Sequence, residues 1–162
     1  MSIYLGRVNQ KLFNARQLLA DIDAASDPRR RQMLLESLLL QLRLACHFHL
    51  RHIAAQYQCR EPEAIESIAD LLAQLDALDK SPGEASEIQA LTTDPHSWLS
   101  RLDDCWRQCF HSGERAAVKE VDGLIPLAVI DATEDFTPEL GGQWLAALTE
   151  LVTRQREVMV EC

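Results

Sequence analysis

The chain has 162 residues, of which 47% are hydrophobic and 25% charged, and this composition is typical of one globular domain and excludes a disordered chain. No stretch of about 18 uncharged apolar residues occurs, so the sequence predicts no membrane span. A net charge of −9 argues against general nucleic-acid binding, and five cysteines without secreted-type spacing indicate reduced thiols in the cytoplasm.

The charge is unevenly distributed along the chain. Residues 1–60 carry nine Lys or Arg and four Asp or Glu, which gives +5, whereas residues 61–104 and 105–162 carry −9 and −5. Two interpretations stay open. The basic helices pack beside acidic helices of the same chain, or a basic face on the first two helices binds an anionic partner.

The first two helices have clear start signals. The first is predicted over residues 2–24, with Ser2 as its N-cap. Asp27 and Pro28 begin a second helix that is predicted to end near residue 58. Residues 33–57 hold no Gly or Pro and are apolar around most of the helix, so we expect them at the centre of a bundle. The main buried stripe is predicted to be Leu35, Leu39, Leu42, Cys46, Leu50, Ile53 and Tyr57.

The later elements are shorter. A third helix is predicted from Pro62 to residue 78, a short helix or turn at residues 84–93, and a fifth helix from Pro95 to Ser112. Residues 114–121 are predicted to form one or two helical turns, and residues 123–130 an extended strap over the bundle. A last helix begins at Thr137-Pro138. The predicted fold is all-α: residues 1–162 form a single domain, an antiparallel bundle of five or six helices around the long second helix.

Four segments of the chain resemble a known family. They are IYLGRVNQKLFNAR at residues 3–16, LRLACHFHL at 42–50, SWLSRLDDCW at 97–106 and WLAALTELVTRQREVMVEC at 144–162. In order and spacing they resemble an uncharacterised all-helical family of short proteins from pseudomonads and related gammaproteobacteria. That family is described as a domain of unknown function. The resemblance implies a bacterial, cytoplasmic protein. No activity is established for that family, so the resemblance transfers no catalytic residue.

A cluster of histidines in the second helix is the candidate metal site. His49 and His52 are three residues apart on one helix face, which is acceptable spacing for two zinc ligands. Cys105 and Cys109, on the fifth helix, are the candidates for completing the ligand set. The alternative is that both histidines are side chains at the core border, each with one ring nitrogen hydrogen-bonded. We expect no metal and no cofactor.

An arginine and the nearby histidines are the candidate catalytic residues. Arg43 and His49, with five residues between them, are similar in spacing to the Arg/His signature of helical-bundle ribonucleases. On an ideal helix, however, these two side chains point about 120° apart. Arg43 and His47 are aligned, but they are too close in sequence for that signature. If the protein were an enzyme, Arg43, His47 and His49 would carry the chemistry; a solvated helix face is the alternative interpretation.

The basic residues of the second helix indicate an interaction surface. Arg29, Arg30 and Arg31 lie at a helix start, where the helix dipole disfavours cations, so we expect an acidic partner from this chain, a second copy or another molecule. Arg43, His47 and Arg51 form a polar strip further along the same helix. The expected function is therefore a non-enzymatic adaptor or regulatory protein that binds another protein, with a homodimer among the candidate assemblies. The alternatives are a ribonuclease-like or nucleotide-binding bundle that uses an Arg/His pair, and a His/Cys bundle that senses a metal or a ligand.

Overall fold

The computed structural model describes residues 2–110, 117–119, 127–129 and 135–160. Within these residues the chain forms six α-helices, which confirms the all-α prediction. The chain also forms one small antiparallel sheet of two three-residue strands in this part. The helices are α1 (Ile3–Ala24), α2 (Pro28–Gln56), α3 (Ile68–Asp76), α4 (Gly83–Thr93), α5 (Trp98–Gln108) and α6 (Pro138–Val160). The strands are β1 (Ala117–Lys119) and β2 (Leu127–Val129), with Val118 opposite Ala128. No helix in this part of the chain is long and apolar enough to cross a lipid bilayer.

Side-chain caps fix the starts of α1 and α2. The Ser2 hydroxyl accepts a hydrogen bond from the Tyr4 amide at 3.2 Å. The Asp27 carboxylate accepts hydrogen bonds from the amides of Arg29 and Arg30, each at 3.3 Å, and a proline occupies the first helical position. Both predicted starts are confirmed. The Asp27 carboxylate also offsets the unfavourable field that the start of a helix imposes on basic side chains.

The start of α3 differs from the prediction. The residues after Pro62 form only a 3₁₀ turn, at Pro62–Ala64, and α3 begins at Ile68. A reciprocal capping box places the start: the Ser67 hydroxyl accepts from the Asp70 amide at 3.2 Å, and the Asp70 carboxylate accepts from the Ser67 amide at 2.9 Å. The predicted start at Pro62 is wrong because the capping box satisfies two helix-start amides, whereas a proline only tolerates the position.

The bounds of α5 and the segment after it also differ from the predictions. α5 begins after Ser97, whose hydroxyl accepts from the Ser100 amide at 3.0 Å, and not at Pro95. It ends at Gln108 and not near Ser112. Residues 117–119 are a strand, so the predicted helical turns are wrong there. Residues 127–129 of the predicted strap form the second strand, and the rest of the strap lies outside the described residues.

α1 lies antiparallel to α2, as a short turn at residues 25–27 requires. The Asn14 side-chain amide donates to the Gln41 side-chain carbonyl at 3.2 Å. Nearer the start of α1, the Arg7 guanidinium lies 5.3 Å from the centre of the Phe48 ring. The contacts therefore move toward the end of α2 as they move toward the start of α1.

α6 lies parallel to α2. Near the start of both helices, a Cβ atom at Gly141 would lie only 2.6 Å from Leu38 Cδ2. Near their ends, His49 Nε2 lies 2.8 Å from Gln155 Oε1. The two helices therefore run in the same direction, while α1 runs against α2.

The apolar second helix is enclosed by the others. α1, α3, α4, α5 and α6 all contact α2. Six residues of the predicted stripe are buried, whereas the seventh, Tyr57, follows the end of α2 and is half-buried. The core has two parts: the first half of α2 packs with α1, α5 and α6, and the half from Leu50 onward packs with α3, α4 and the end of α6.

Gly141→Ala is expected to lower the free energy of unfolding by about 1–3 kcal/mol. The added methyl group would lie 2.6 Å from Leu38 Cδ2 and 3.2 Å from Phe136 Cζ, and both of these side chains are buried. Gly142→Ala is the matched control. It meets no atom within 4 Å, so it is expected to stabilise the protein by about 0.5–1 kcal/mol through helix propensity. Urea unfolding followed by circular dichroism measures both; equal effects would contradict the close contact between α2 and α6.

Candidate ligand-binding site

A cavity of about 110 Å³ lies where α2 meets α3, α4, α5 and α6. Most of its wall is apolar and comes from Leu50, Ile88, Trp98, Leu99, Leu148 and Leu151. The polar side chains in the lining are Arg43, His49, Ser67, Thr92 and Asp103. A largely apolar cavity with a few converging polar groups is the usual form of a small-molecule site, so this cavity is the candidate functional site.

Arg43 and Asp103 form the charged part of the lining. Arg43 Nε lies 3.3 Å from Asp103 Oδ1, and the two side chains are 27% and 24% exposed. The Arg43 Nε atom is itself buried and makes no hydrogen bond within the described residues, so Asp103 attracts the positive charge without accepting that N–H. Asp103 also pairs with Arg107, one turn along α5. The Asp103 carboxylate is therefore paired with two guanidinium groups, those of Arg43 and Arg107.

His49 is held by a hydrogen bond inside the core. Only 1% of the residue is exposed, and its Nε2 lies 2.8 Å from Gln155 Oε1. The Gln155 side-chain NH₂ donates to the Glu84 carbonyl at 3.3 Å and to Glu87 Oε2 at 2.8 Å. These two bonds orient the Gln155 amide so that its oxygen faces His49, and they assign the proton of the neutral imidazole to Nε2.

Burial keeps two imidazoles of α2 uncharged. Desolvation lowers the pKa of His49 to about 4, against the opposing effect of the Gln155 hydrogen bond. His52 is also buried, its ring centre lies 6.2 Å from that of His49, and burial lowers its pKa too. Neither ring nitrogen of His52 has a hydrogen-bond partner within the described residues. Both side chains are therefore neutral at pH 7.

The other two residues of the predicted polar strip do not line the cavity. Arg51 is 15% exposed; its Nε donates to the Ile65 carbonyl at 3.1 Å, and its Nη1 pairs with Glu63 at 2.7 Å. His47 is half-buried, and burial followed by the charges of Arg51 and Arg43 lowers its pKa. Arg51 therefore joins α2 to the segment before α3, and the strip is largely engaged within the chain.

The candidate metal ligands do not form one set. Within the part of the chain that the structure describes, no three His, Cys, Asp or Glu side chains are placed to hold a metal ion. Cys105 is buried in the core, and the thiol of Cys109 donates to the Cys105 carbonyl at 3.5 Å. Burial raises the pKa of both thiols, so both remain protonated at pH 7.

Arg29, Arg30 and Arg31 are exposed at the start of α2. The carboxyl group of Glu139, in the first turn of α6, has its pKa lowered by its own backbone amide first, then by Thr137, and also by the charge of Arg31. Glu139 is thus an acidic neighbour within the chain for one of the three arginines. Within the described residues, neither Arg29 nor Arg30 has a carboxylate within ion-pair distance.

Sequence reasoning missed Gln155 and Asp103. Gln155 follows Leu148 and Leu151 at helical spacing, so a polar side chain in a core register was a signal that could have identified it. Asp103 gave no such signal, because it stands beside Asp104 on a helix whose other face is apolar and so resembles a solvated acid. Only the packing of α5 on α2 brings it to Arg43.

Comparison with known proteins gives one match. The model of a family described as a family of unknown function (DUF6586) matches residues 1–162. No curated protein and no solved structure matches the chain.

The protein is expected to lose stability as the pH falls from 6.5 toward 4. The unfolded chain protonates His49 near its ordinary pKa of 6.5, whereas the folded protein protonates it only near a pKa of about 4. The unfolded state therefore binds more protons in this range, which lowers the free energy of unfolding by roughly 3 kcal/mol through His49. Urea unfolding at a series of pH values measures the decline.

The variant His49→Gln tests whether the titration of His49 causes this loss of stability. The glutamine keeps an N–H for Gln155 but cannot gain a proton, so the decline is expected to become shallower in this variant. His96→Gln, at an exposed position, is the matched control and is expected to leave the decline unchanged. The same decline in His49→Gln as in the wild type would contradict the assignment.

Proposed function

We propose that this chain, which belongs to the family of unknown function DUF6586 over residues 1–162, is a non-enzymatic bundle that binds a small organic molecule in the cavity beside α2. The observation that carries the proposal is the convergence of Arg43 and His49 on one largely apolar cavity. The apolar wall belongs to the core clusters, so binding requires little ordering of side chains. The proposed role is that of a cytoplasmic ligand sensor.

The electrostatics of the cavity favour binding over catalysis. A general acid or base works best with a pKa near the operating pH, and the pKa of His49 lies at about 4. Its Nε2–H is committed to Gln155, and the Arg43 guanidinium is paired with Asp103. These groups can orient a bound molecule, but none of them is poised to exchange a proton with it at neutral pH.

The volume of the cavity limits the ligand. An apolar cavity of about 150 Å³ in another protein accommodates benzene. The cavity of about 110 Å³ is smaller, so one small ring or a short branched chain is the largest apolar body that it suits. A polar end would project between Arg43 and Asp103, where the lining is partly exposed.

Benzamide is a suitable neutral probe of the cavity. It is expected to bind the wild-type protein at millimolar or lower concentration, with chemical-shift changes at Leu99 and Leu148 in an NMR titration. Thr92→Leu adds bulk to the lining and is expected to weaken binding about tenfold or more.

Thr93→Leu is the matched control for this experiment. Thr92 and Thr93 both donate their hydroxyl to the carbonyl four residues earlier, but Thr93 is exposed and does not line the cavity. It is expected to bind benzamide as the wild type does. No binding to the wild type, or equal binding to the two leucine variants, would contradict a ligand site in this cavity.

A second candidate function is self-association through the start of α2, and the exposed Arg29 and Arg30 support it. These two side chains are basic on a chain whose net charge is −9, so the acidic surface of a second copy is a complementary partner. Met33, one turn further along α2, is 60% exposed and would add apolar area to such a contact.

Sedimentation velocity at low and high salt tests the homodimer. A dimer is expected at low salt, and both high salt and the double substitution Arg29→Glu, Arg30→Glu are expected to shift it to monomer. The double substitution Arg60→Glu, Arg156→Glu changes the net charge equally at two other exposed positions and is expected to retain the dimer. A monomer at low salt in the wild type would contradict this candidate function.

A further inference from the structure

We propose that the ligand of the cavity is a small monocarboxylate with a compact apolar body, and that Arg43 binds its carboxylate. This inference rests on the proposed ligand site and specifies the chemistry of what occupies it. Guanidinium groups bind carboxylates through two parallel N–H bonds, and that geometry needs a free N–H on the side facing the ligand. Arg43 lines the cavity, and its Nε–H makes no hydrogen bond within the described residues, so it is an unused donor for a carboxylate that replaces Asp103.

The start of α3 forms another part of the cavity wall. Ser67 and Ile68, the N-cap and first residue of α3, both line the cavity. The Asp70 carboxylate and the Ser67 hydroxyl already accept from the amides at this helix start, so the cation available to a ligand carboxylate is Arg43.

Asp103 can leave Arg43 without losing its own partner. In the unliganded protein it lies 3.3 Å from Arg43 Nε and also pairs with Arg107, whose side chain is 66% exposed. A ligand carboxylate that takes the place of Asp103 at Arg43 leaves Asp103 paired with Arg107 and partly in water. The exchange therefore avoids the large cost of stranding a buried, unpaired charge.

The apolar wall limits the size and shape of the apolar body of the ligand. Trp98, Ile88 and Leu148 come from three different helices and form part of the apolar wall. A body of about four to six carbons, branched or cyclic, fits the available volume. A cation would be repelled by Arg43, and a long-chain acid would exceed the volume.

Isothermal titration with benzoate and benzamide tests the proposal. The two probes share one ring and differ in charge. The wild-type protein is expected to bind benzoate about tenfold or more tightly than benzamide. Arg43→Met is expected to abolish that preference, because it removes the cation that distinguishes the carboxylate from the amide.

Arg51→Met is the matched control, since Arg51 is another ion-paired, partly buried arginine of α2 that does not line the cavity. It is expected to keep the preference for benzoate. Asp103→Asn removes the carboxylate that competes for Arg43 and is expected to tighten benzoate binding several-fold.

The outcomes separate this proposal from the proposed function. Equal affinity for benzoate and benzamide in the wild type, or a preference for benzoate that survives Arg43→Met, would overturn the carboxylate assignment. In that case benzamide binding that is sensitive to Thr92→Leu would still support a ligand site. Benzoate binding that Thr92→Leu does not weaken would place benzoate outside the cavity and would also overturn the assignment.

Discussion

The enclosure of α2 is the constraint on which the rest of the structure depends. A helix that is apolar around most of its circumference must be covered on nearly all sides, and five other helices contact α2. Two of them, α1 and α6, are long enough to cover much of its length, whereas α3, α4 and α5 have 9, 11 and 11 residues. The short helices meet beside the middle of α2, and the cavity lies where their ends and sides leave space.

The polar groups inside this core fix how α2 and α6 are aligned. An apolar interface tolerates sliding, because one aliphatic contact resembles the next. The hydrogen bond between His49 and Gln155 does not tolerate sliding, because a displaced α6 would leave both groups buried without a partner. The close approach of Gly141 to Leu38 fixes the same alignment at the opposite end of the pair. One polar contact and one steric contact therefore define a single register between two parallel helices.

The fold was largely predictable from the sequence, and the site only in part. Apolar patterning placed the enclosed helix, and Ser2 and Asp27 placed the helix starts, because both signals are local. The start of α3 was misjudged because Pro62 is a permissive signal and the Ser67–Asp70 pair a stronger one. The angle on an ideal helix predicts that Arg43 and His49 point apart, yet both line the cavity, and Asp103 of α5 lies beside Arg43. Contacts between helices decide such a site, and helical periodicity does not contain them.

The carboxylate of Asp103 also affects how mutational data on this protein should be interpreted. Because it is shared by Arg43 and Arg107, loss of either arginine leaves the other interaction intact and can strengthen it. A scan that changes one position at a time will therefore underestimate the contribution of each arginine to stability. A double-mutant cycle, which includes the variant with both substitutions, measures the coupling energy between them. For the same reason we expect the two arginine positions to covary among homologous chains, although the two side chains bind a common acid rather than each other.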